Sequence, residues 1–226
     1  EAAARAARAA SEAKKAAEAA SAAKREARAR NLLRDIASFN GAIFFEASNI
    51  PNMIDHNVIY NVSVGSGLYA RDCDKLLIAH NLVINCDHAG VHMRKTESRD
   101  RVGVCKDNDV INNVLVGCGV AFDYERMGNL SDHNILSGMG AGFSLDDWQK
   151  SGLDASSTSI DLDLTIDPED QRLAWSSATD VPAVSRHELL EVDYFGRPYP
   201  GDEVPVGPFT EGLNTVCRRL RLTPNE

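Results

Sequence analysis

From residue 31 onward the chain is built from short runs in which apolar and polar residues alternate. Five of these runs open on glycine: Gly41-Ala-Ile-Phe-Phe-Glu46, Gly67-Leu-Tyr-Ala-Arg71, Gly90-Val-His-Met-Arg94, Gly119-Val-Ala-Phe-Asp123 and Gly142-Phe-Ser-Leu-Asp146. A second repeat lies between them: His56-Asn57-Val58-Ile59, His80-Asn81-Leu82-Val83, Asn112-Asn113-Val114-Leu115 and His133-Asn134-Ile135-Leu136, at a spacing of 21 to 32 residues. Two short strands per period with no helix between them predict one coil of a stacked solenoid per period. The expected fold class is therefore all-β, a parallel β-helix. Its coils are expected over residues 31–166, with a C-terminal tail and cap of the same domain over residues 167–226.

Side chains alternate between the two faces of a strand. Aligning the apolar pairs Ile43/Phe45, Leu68/Ala70, Val91/Met93, Val120/Phe122 and Phe143/Leu145 sends them inward. One outward row is then Phe44, Tyr69, His92, Ala121 and Ser144, and the next is Glu46, Arg71, Arg94, Asp123 and Asp146. Coils about 4.8 Å apart would make the second row a charged ladder about 20 Å long. The asparagines at each turn read as a structural ladder, because asparagine tolerates unusual backbone angles and its amide satisfies free backbone groups. His56, His80 and His133 stand beside that ladder and read as part of it rather than as metal ligands. After residue 150 the repeat blurs. Residues 160–166 alternate like an edge strand, the following text is rich in proline, glycine and charge, and residues 217–222 read as a last strand.

Residues 1–30 have a different composition: sixteen alanines, twelve charged residues and two serines. These are strong helix formers, so a helix is expected. Ala2, Ala6, Ala9, Ala13, Ala16, Ala20, Ala23 and Ala27 form a heptad seam of the smallest side chain. The segment reads as an engineered addition, either a cap over the open end of the solenoid or a helix that self-associates with another chain. It carries +4 against −13 for the remainder.

The net charge of −9 excludes nucleic acid and anionic membranes as natural partners. No apolar run is long enough to span a bilayer, so the chain reads as soluble. Of the five cysteines, Cys86 and Cys118 each follow a repeat asparagine by five residues, so they are expected as buried thiols in equivalent places of two coils.

The coils resemble the right-handed parallel β-helix of the pectate-lyase-like superfamily, over about residues 31–210. The stretch Val192-Asp-Tyr-Phe-Gly-Arg-Pro198, followed by Val206-Gly-Pro-Phe209, is similar to the end motif of secreted or periplasmic carbohydrate-active members. Asn31-Leu-Leu-Arg-Asp35, Ile43-Phe-Phe-Glu46-Ala-Ser-Asn49, Met53-Ile-Asp-His-Asn57 and Ala79-His-Asn-Leu82 resemble the β-xylosidase-like β-helix glycoside hydrolases. That resemblance implies Glu46 as general acid/base and an aspartate nucleophile on the preceding coil. Residues 16–34, where that coil would lie, contain Glu18 and Glu26 but no aspartate.

Candidate catalytic residues are thus Glu46, with Asp123 and Asp146 as alternatives. Glu46 is expected to face Arg71, which suits an ion pair better than a general acid. Asp123 and Asp146, with Glu125 and Asp147 nearby, could pair catalytically or hold Ca²⁺. Phe44, Tyr69, Arg71, His92 and Arg94 form the expected substrate-binding patch, because arginine forks bind carboxylates and aromatic faces stack on sugar rings. The partner expected there is a polysaccharide or oligosaccharide. No metal ligand set is assigned, and Ca²⁺ is the one cofactor that the carboxylates would admit. The whole reads as a truncated, re-capped scaffold derived from a carbohydrate-active enzyme, with little or no activity. The alternative is an active xylosidase-like hydrolase or polysaccharide lyase working in a groove along the coils.

Overall fold

The computed structural model describes residues 30–96, 104–213 and 217–222, with the side chains of 217–219 left aside. The expected alanine-rich helix lies outside the described residues, as does the centre of the loop from Lys95 to Lys106.

The first coil consists of β1 (Leu32–Ala37), β2 (Ile43–Ser48) and β3 (Asn52–Asp55). The second is β4 (Val58–Ser63), β5 (Leu68–Cys73) and β6 (Leu76–Ala79), and the third β7 (Leu82–Cys86), β8 (Ala89–Arg94) and β9 (Asp109–Ile111). The fourth is β10 (Val114–Val116), β11 (Val120–Asp123) and β12 (Leu130–Asp132). A fifth begins with β13 (Ile135–Ser137), turns through a short helix α1 (Leu145–Gln149) and ends at β14 (Thr158–Ser159). Equivalent strands pair in parallel into three sheets: sheet A in the order β1-β4-β7-β10-β13-β14, sheet B as β2-β5-β8-β11 and sheet C as β3-β6-β9-β12. Each coil therefore has three strands, not two. The third is only three or four residues long and runs straight into the His-Asn turn, so sequence periodicity merges it with the turn.

That turn sets the coil. His56, His80, Asn112 and His133 have φ of 51°, 53°, 58° and 56°, the left-handed region that Asn and His adopt more readily than most residues. The chain thereby swings from sheet C into sheet A at the same place in every coil. The asparagine that follows is buried and joins its neighbours edge to edge. Nδ2 donates to the next Oδ1 from Asn31 to Asn57 (2.8 Å), Asn57 to Asn81 (2.8 Å), Asn81 to Asn113 (3.0 Å) and Asn113 to Asn134 (3.0 Å). Each of these Oδ1 atoms also accepts the backbone N–H of the preceding asparagine. Buried Asp154 ends the series, accepting from Asn134 Nδ2 at 2.8 Å. A second ladder, Asn108 to Asn129, holds the corner before sheet C in the later coils (3.1 Å).

The interior is one apolar column that includes Ile54, Ile59, Leu68, Ile78, Val83, Val91, Leu115, Phe122 and Leu136. Sheet A is buried on both faces, which explains its continuous apolar runs. Its outer face, with Val58, Tyr60, Leu82, Ile84, Val114 and Ile135, packs against the tail. The tail forms an antiparallel sheet of β15 (Leu162–Asp167), β16 (Arg172–Ser177) and β19 (Cys217–Arg221), and a two-stranded sheet of β17 (Val184–Ser185) with β18 (Glu203–Val204). It thus lies along the flank of the solenoid, on the outer face of sheet A. The segment around α1 lies on the last full coil, where Phe143, Leu145 and Trp148 pack against the interior column and Trp148 stacks on Phe122 at 5.5 Å. The end motif clasps the tail. Buried Asp193 accepts hydrogen bonds from the Phe195 and Arg197 backbones, from Arg197 Nε (2.8 Å) and from Thr210 Oγ1 (2.8 Å). Burial pushes this carboxyl up, but the hydrogen bonds from Arg197 and Thr210 outweigh it and the net shift is downward. No helix among the described residues is long and apolar enough to cross a membrane.

The ladder predicts a local, severe cost. Asn81→Ala removes the acceptor of two Asn57 N–H groups and the donor to the Ile54 and Ala79 carbonyls. Stranding such buried groups costs about 1–3 kcal/mol each, so urea denaturation should show a loss of at least about 3 kcal/mol. A loss under about 1 kcal/mol would mean that the ladder does not hold the coils.

Acid should also loosen the seam between tail and coils. His80 Nδ1 donates to the Gly207 carbonyl at 2.9 Å, and its Nε2 accepts from Asn112 Nδ2 at 3.0 Å, which fixes a neutral tautomer. Burial drives His80 down to about 3, helped by neighbouring His56 and His187 and opposed by the Gly207 carbonyl. The unfolded chain then binds more protons than the folded one between about pH 3 and the ordinary histidine value near 6.5. This contribution is fully present above about pH 6.5 and falls by up to about 1.4 kcal/mol per pH unit on acidification. Urea midpoints measured between pH 7 and 5 should drop more steeply for wild type than for His80→Gln; equal slopes would contradict this.

Candidate functional site

The expected substrate-binding residues lie on sheet B. Gly67 ends the corner before β5, where any Cβ would stand 2.3 Å from Val83 Cγ1 of the next coil. The register then runs Phe44–Tyr69–His92 in one file and Glu46–Arg71–Arg94 in the next, as the alternation predicts. The Phe44 and Tyr69 rings are 5.3 Å apart, and Tyr69 stacks on His92 at 4.3 Å with 9° between planes. Arg71 lies over the Phe44 ring at 5.1 Å. Its Nε and Nη2 both donate to Glu46 Oε1, at 3.0 and 2.5 Å. Hydrogen bonding to Glu46 raises the Arg71 pKa, with burial opposing. Arg94 is exposed, and among the described residues it makes no ion pair.

Beyond β8 the expected rows break twice. Val120 pairs with Ala89 and Phe122 with Val91, so Asp123 comes opposite His92 rather than Arg94, and Ala121 falls two residues short of His92. Gly119 lies opposite His88, two residues before Gly90, so the alternation that follows it is displaced by two. Asp87 and His88 separate Cys86 from β8, whereas only Gly119 separates Cys118 from β11. The glycines Gly90 and Gly119 are therefore not equivalent, although Cys86 and Cys118 are. Both thiols are free and buried, and hydrogen bonding to Cys118, then burial, push Cys86 up. The second break is at Gly142 to Asp146, which makes no strand. Ser144 instead caps α1 by accepting from the Asp147 N–H at 3.3 Å, and Asp146 sits exposed in the first turn. Ser144 followed by Asp146 and Asp147 is a helix-start signal that the strand alignment overrode. Asp123 and Asp146 thus do not stack as a carboxylate ladder.

The altered register assembles a cluster that sequence reasoning missed. His88, exposed at the corner, and His92 both turn Nε2 toward Asp123 Oδ2, each at 3.4 Å. Their rings meet edge to face at 5.0 Å. Ser66 Oγ hydrogen-bonds His88 Nδ1 at 3.0 Å. Burial lowers the pKa of His92, partly offset by the Asp123 carboxylate. These three side chains are the described residues that could hold a metal ion. His88 carried no repeat signature, because it occupies the one corner position that the next coil lacks. His56 and His80 are placed otherwise: buried, stacked at 5.1 Å and engaged with Asp55, Tyr199 and Gly207. A narrow apolar cavity between sheet A and the tail, lined by Leu82, Val114, Trp175 and Phe209 among others, lies on a different sheet and presents no charged side chain.

Three-stranded parallel coils stacked in register define a β-solenoid. A family model described as "Right handed beta helix region" matches residues 27–160, and the chain belongs to that family. No curated protein and no solved structure matches the chain.

The electrostatics of the cluster can be read directly. An NMR pH titration should place the His92 imidazole below the ordinary histidine value, and Asp123→Asn should move it further down, because the carboxylate stabilises its charged form. An upward or absent shift would mean that Asp123 does not face His92.

Proposed function

We propose that the outer face of sheet B binds an acidic saccharide, one bearing uronate carboxylates, and that the chain hydrolyses such a substrate weakly or not at all. The observation that carries the reading is the side-by-side placement of Arg71 and Arg94 next to the stacked Tyr69 and His92 rings. Guanidinium groups recognise carboxylates and aromatic faces carry pyranose rings, so the two files supply both halves of a uronate site. The exposed guanidinium of Arg94 is the stronger anchor, since Arg71 already holds Glu46.

The hydrolase reading is weaker. Glu46 on β2 and Asp123 on β11 are three strand spacings apart, about 14 Å. Paired glycosidase carboxyls stand about 5–9.5 Å apart. Both N–H donors from Arg71 hold Glu46 as an acceptor, the wrong role for a general acid. Asp146 has left the row altogether. These points favour descent from a carbohydrate-active protein over retained hydrolysis.

A second reading, uronate lyase activity on the same face, is favoured by His92. Burial favours its neutral form, which can take a proton, and it neighbours arginines that would neutralise the adjoining carboxylate. Calorimetry with oligouronates and neutral xylo-oligosaccharides tests the binding. The uronates should bind and the xylo-oligosaccharides should not, and Arg94→Ala should weaken binding by about tenfold, the order of one charge-assisted contact. Equal affinity for both sugars, or none for uronates, would overturn the reading. Ultraviolet absorbance of an unsaturated product would add lyase activity, and release of nitrophenol from aryl xylosides that Glu46→Gln abolishes would restore the hydrolase.

A further inference from the structure

We propose that His88, His92 and Asp123 form a binding site for one divalent transition ion of the Zn²⁺ or Co²⁺ type. The ligand atoms of all three lie within 4.8 Å of one another. The two Nε2 atoms each stand 3.4 Å from Asp123 Oδ2. A tetrahedral Zn²⁺ with bonds of about 2.0–2.1 Å sets its ligand atoms about 3.3 Å apart, which matches that separation. It is too long for the alternative, a direct charge-assisted hydrogen bond of about 2.7–2.9 Å. Neither histidine therefore satisfies Asp123 by itself, yet both aim at one oxygen.

The surroundings orient the ligands. Ser66 Oγ holds His88 Nδ1 at 3.0 Å, which leaves Nε2 for the ion. Tyr69 stacks on His92 and fixes its plane. Such contacts behind a ligand set its tautomer and direction. His92 is the buried wall, with a side chain 16% exposed, whereas His88 and Asp123 are each 49% exposed. A fourth position thus opens to solvent, where a water or a ligand oxygen can complete the shell. Two imidazole nitrogens and one carboxylate select a borderline ion over Ca²⁺ or Mg²⁺, which want mostly oxygen. The Ca²⁺ expected from stacked carboxylates loses its basis once Asp146 leaves the row. The site needs no saccharide, so it stands or falls apart from the uronate reading.

Tag-free protein titrated with Zn²⁺ against a chromophoric chelator, and with Co²⁺ by visible absorption, decides it. One ion per chain is expected, with the Co²⁺ spectrum of a four- or five-coordinate site and no competition from Ca²⁺. His88→Ala, at an exposed corner, and Asp123→Asn should each weaken binding by roughly tenfold or more. His133→Ala, the control, should leave it unchanged. Circular dichroism would establish that the variants keep their β signal. Absence of binding in the wild type, or binding that survives both substitutions, would overturn the proposal.

Discussion

The molecule depends on one corner. A residue with positive φ turns the chain from sheet C into sheet A, and the asparagine behind it hands its amide to the next coil. A parallel coil gains almost nothing from local contacts, since its strands pair only with strands a full turn away. Buried amides that donate and accept in series satisfy the backbone groups that such a corner would otherwise strand. The apolar column then fills the space that the corners enclose. Most of the driving force lies in that column, and the register lies in the corners.

Register is what creates the outer face. A corner one residue longer or shorter changes which side chains meet on the neighbouring strand. Two residues between Cys86 and β8 bring His88 to the rim of sheet B, and one residue between Cys118 and β11 stops Asp123 opposite His92. The cluster of His88, His92 and Asp123 is thus a product of how β11 pairs with β8 rather than of the repeat. The arginine file follows the repeat: Glu46 stands opposite Arg71, and Arg71 opposite Arg94. Among the described residues the tail packs elsewhere, on sheet A, which would otherwise expose Tyr60, Leu82 and Val114.

Much of this was legible in the sequence. The alternation of Phe44, Tyr69 and His92 with their inward neighbours, the asparagine ladder, the equivalence of Cys86 with Cys118 and the edge strand at Leu162–Asp167 all follow from period and residue type. The third strand was hidden, because Met53-Ile54 or Leu77-Ile78 beside a turn is too short to show a period. The helix at Leu145–Gln149 was hidden because Phe143 and Leu145 also fit a strand, although Ser144 with Asp146 and Asp147 marks a helix start and Trp148 packs on Phe122. Asp123 was misplaced because Val120 and Phe122 fit the alternation as well opposite Val91 and Met93 as opposite Ala89 and Val91, where they stand. Which sheet the tail covers follows from the two-sided apolar character of sheet A rather than from the tail's own composition.

The register at β8 and β11 is open to a direct test by engineered disulfides. Cysteines at positions 92 and 123 would face each other on adjacent strands within bridging range, whereas cysteines at 94 and 123 would stand about 8 Å apart, too far to bridge. Mild oxidation of the folded double variants, read by mass spectrometry, should therefore link 92 to 123 and leave 94 and 123 reduced. A bridge between 94 and 123 with none between 92 and 123 would contradict the alignment on which the face is built.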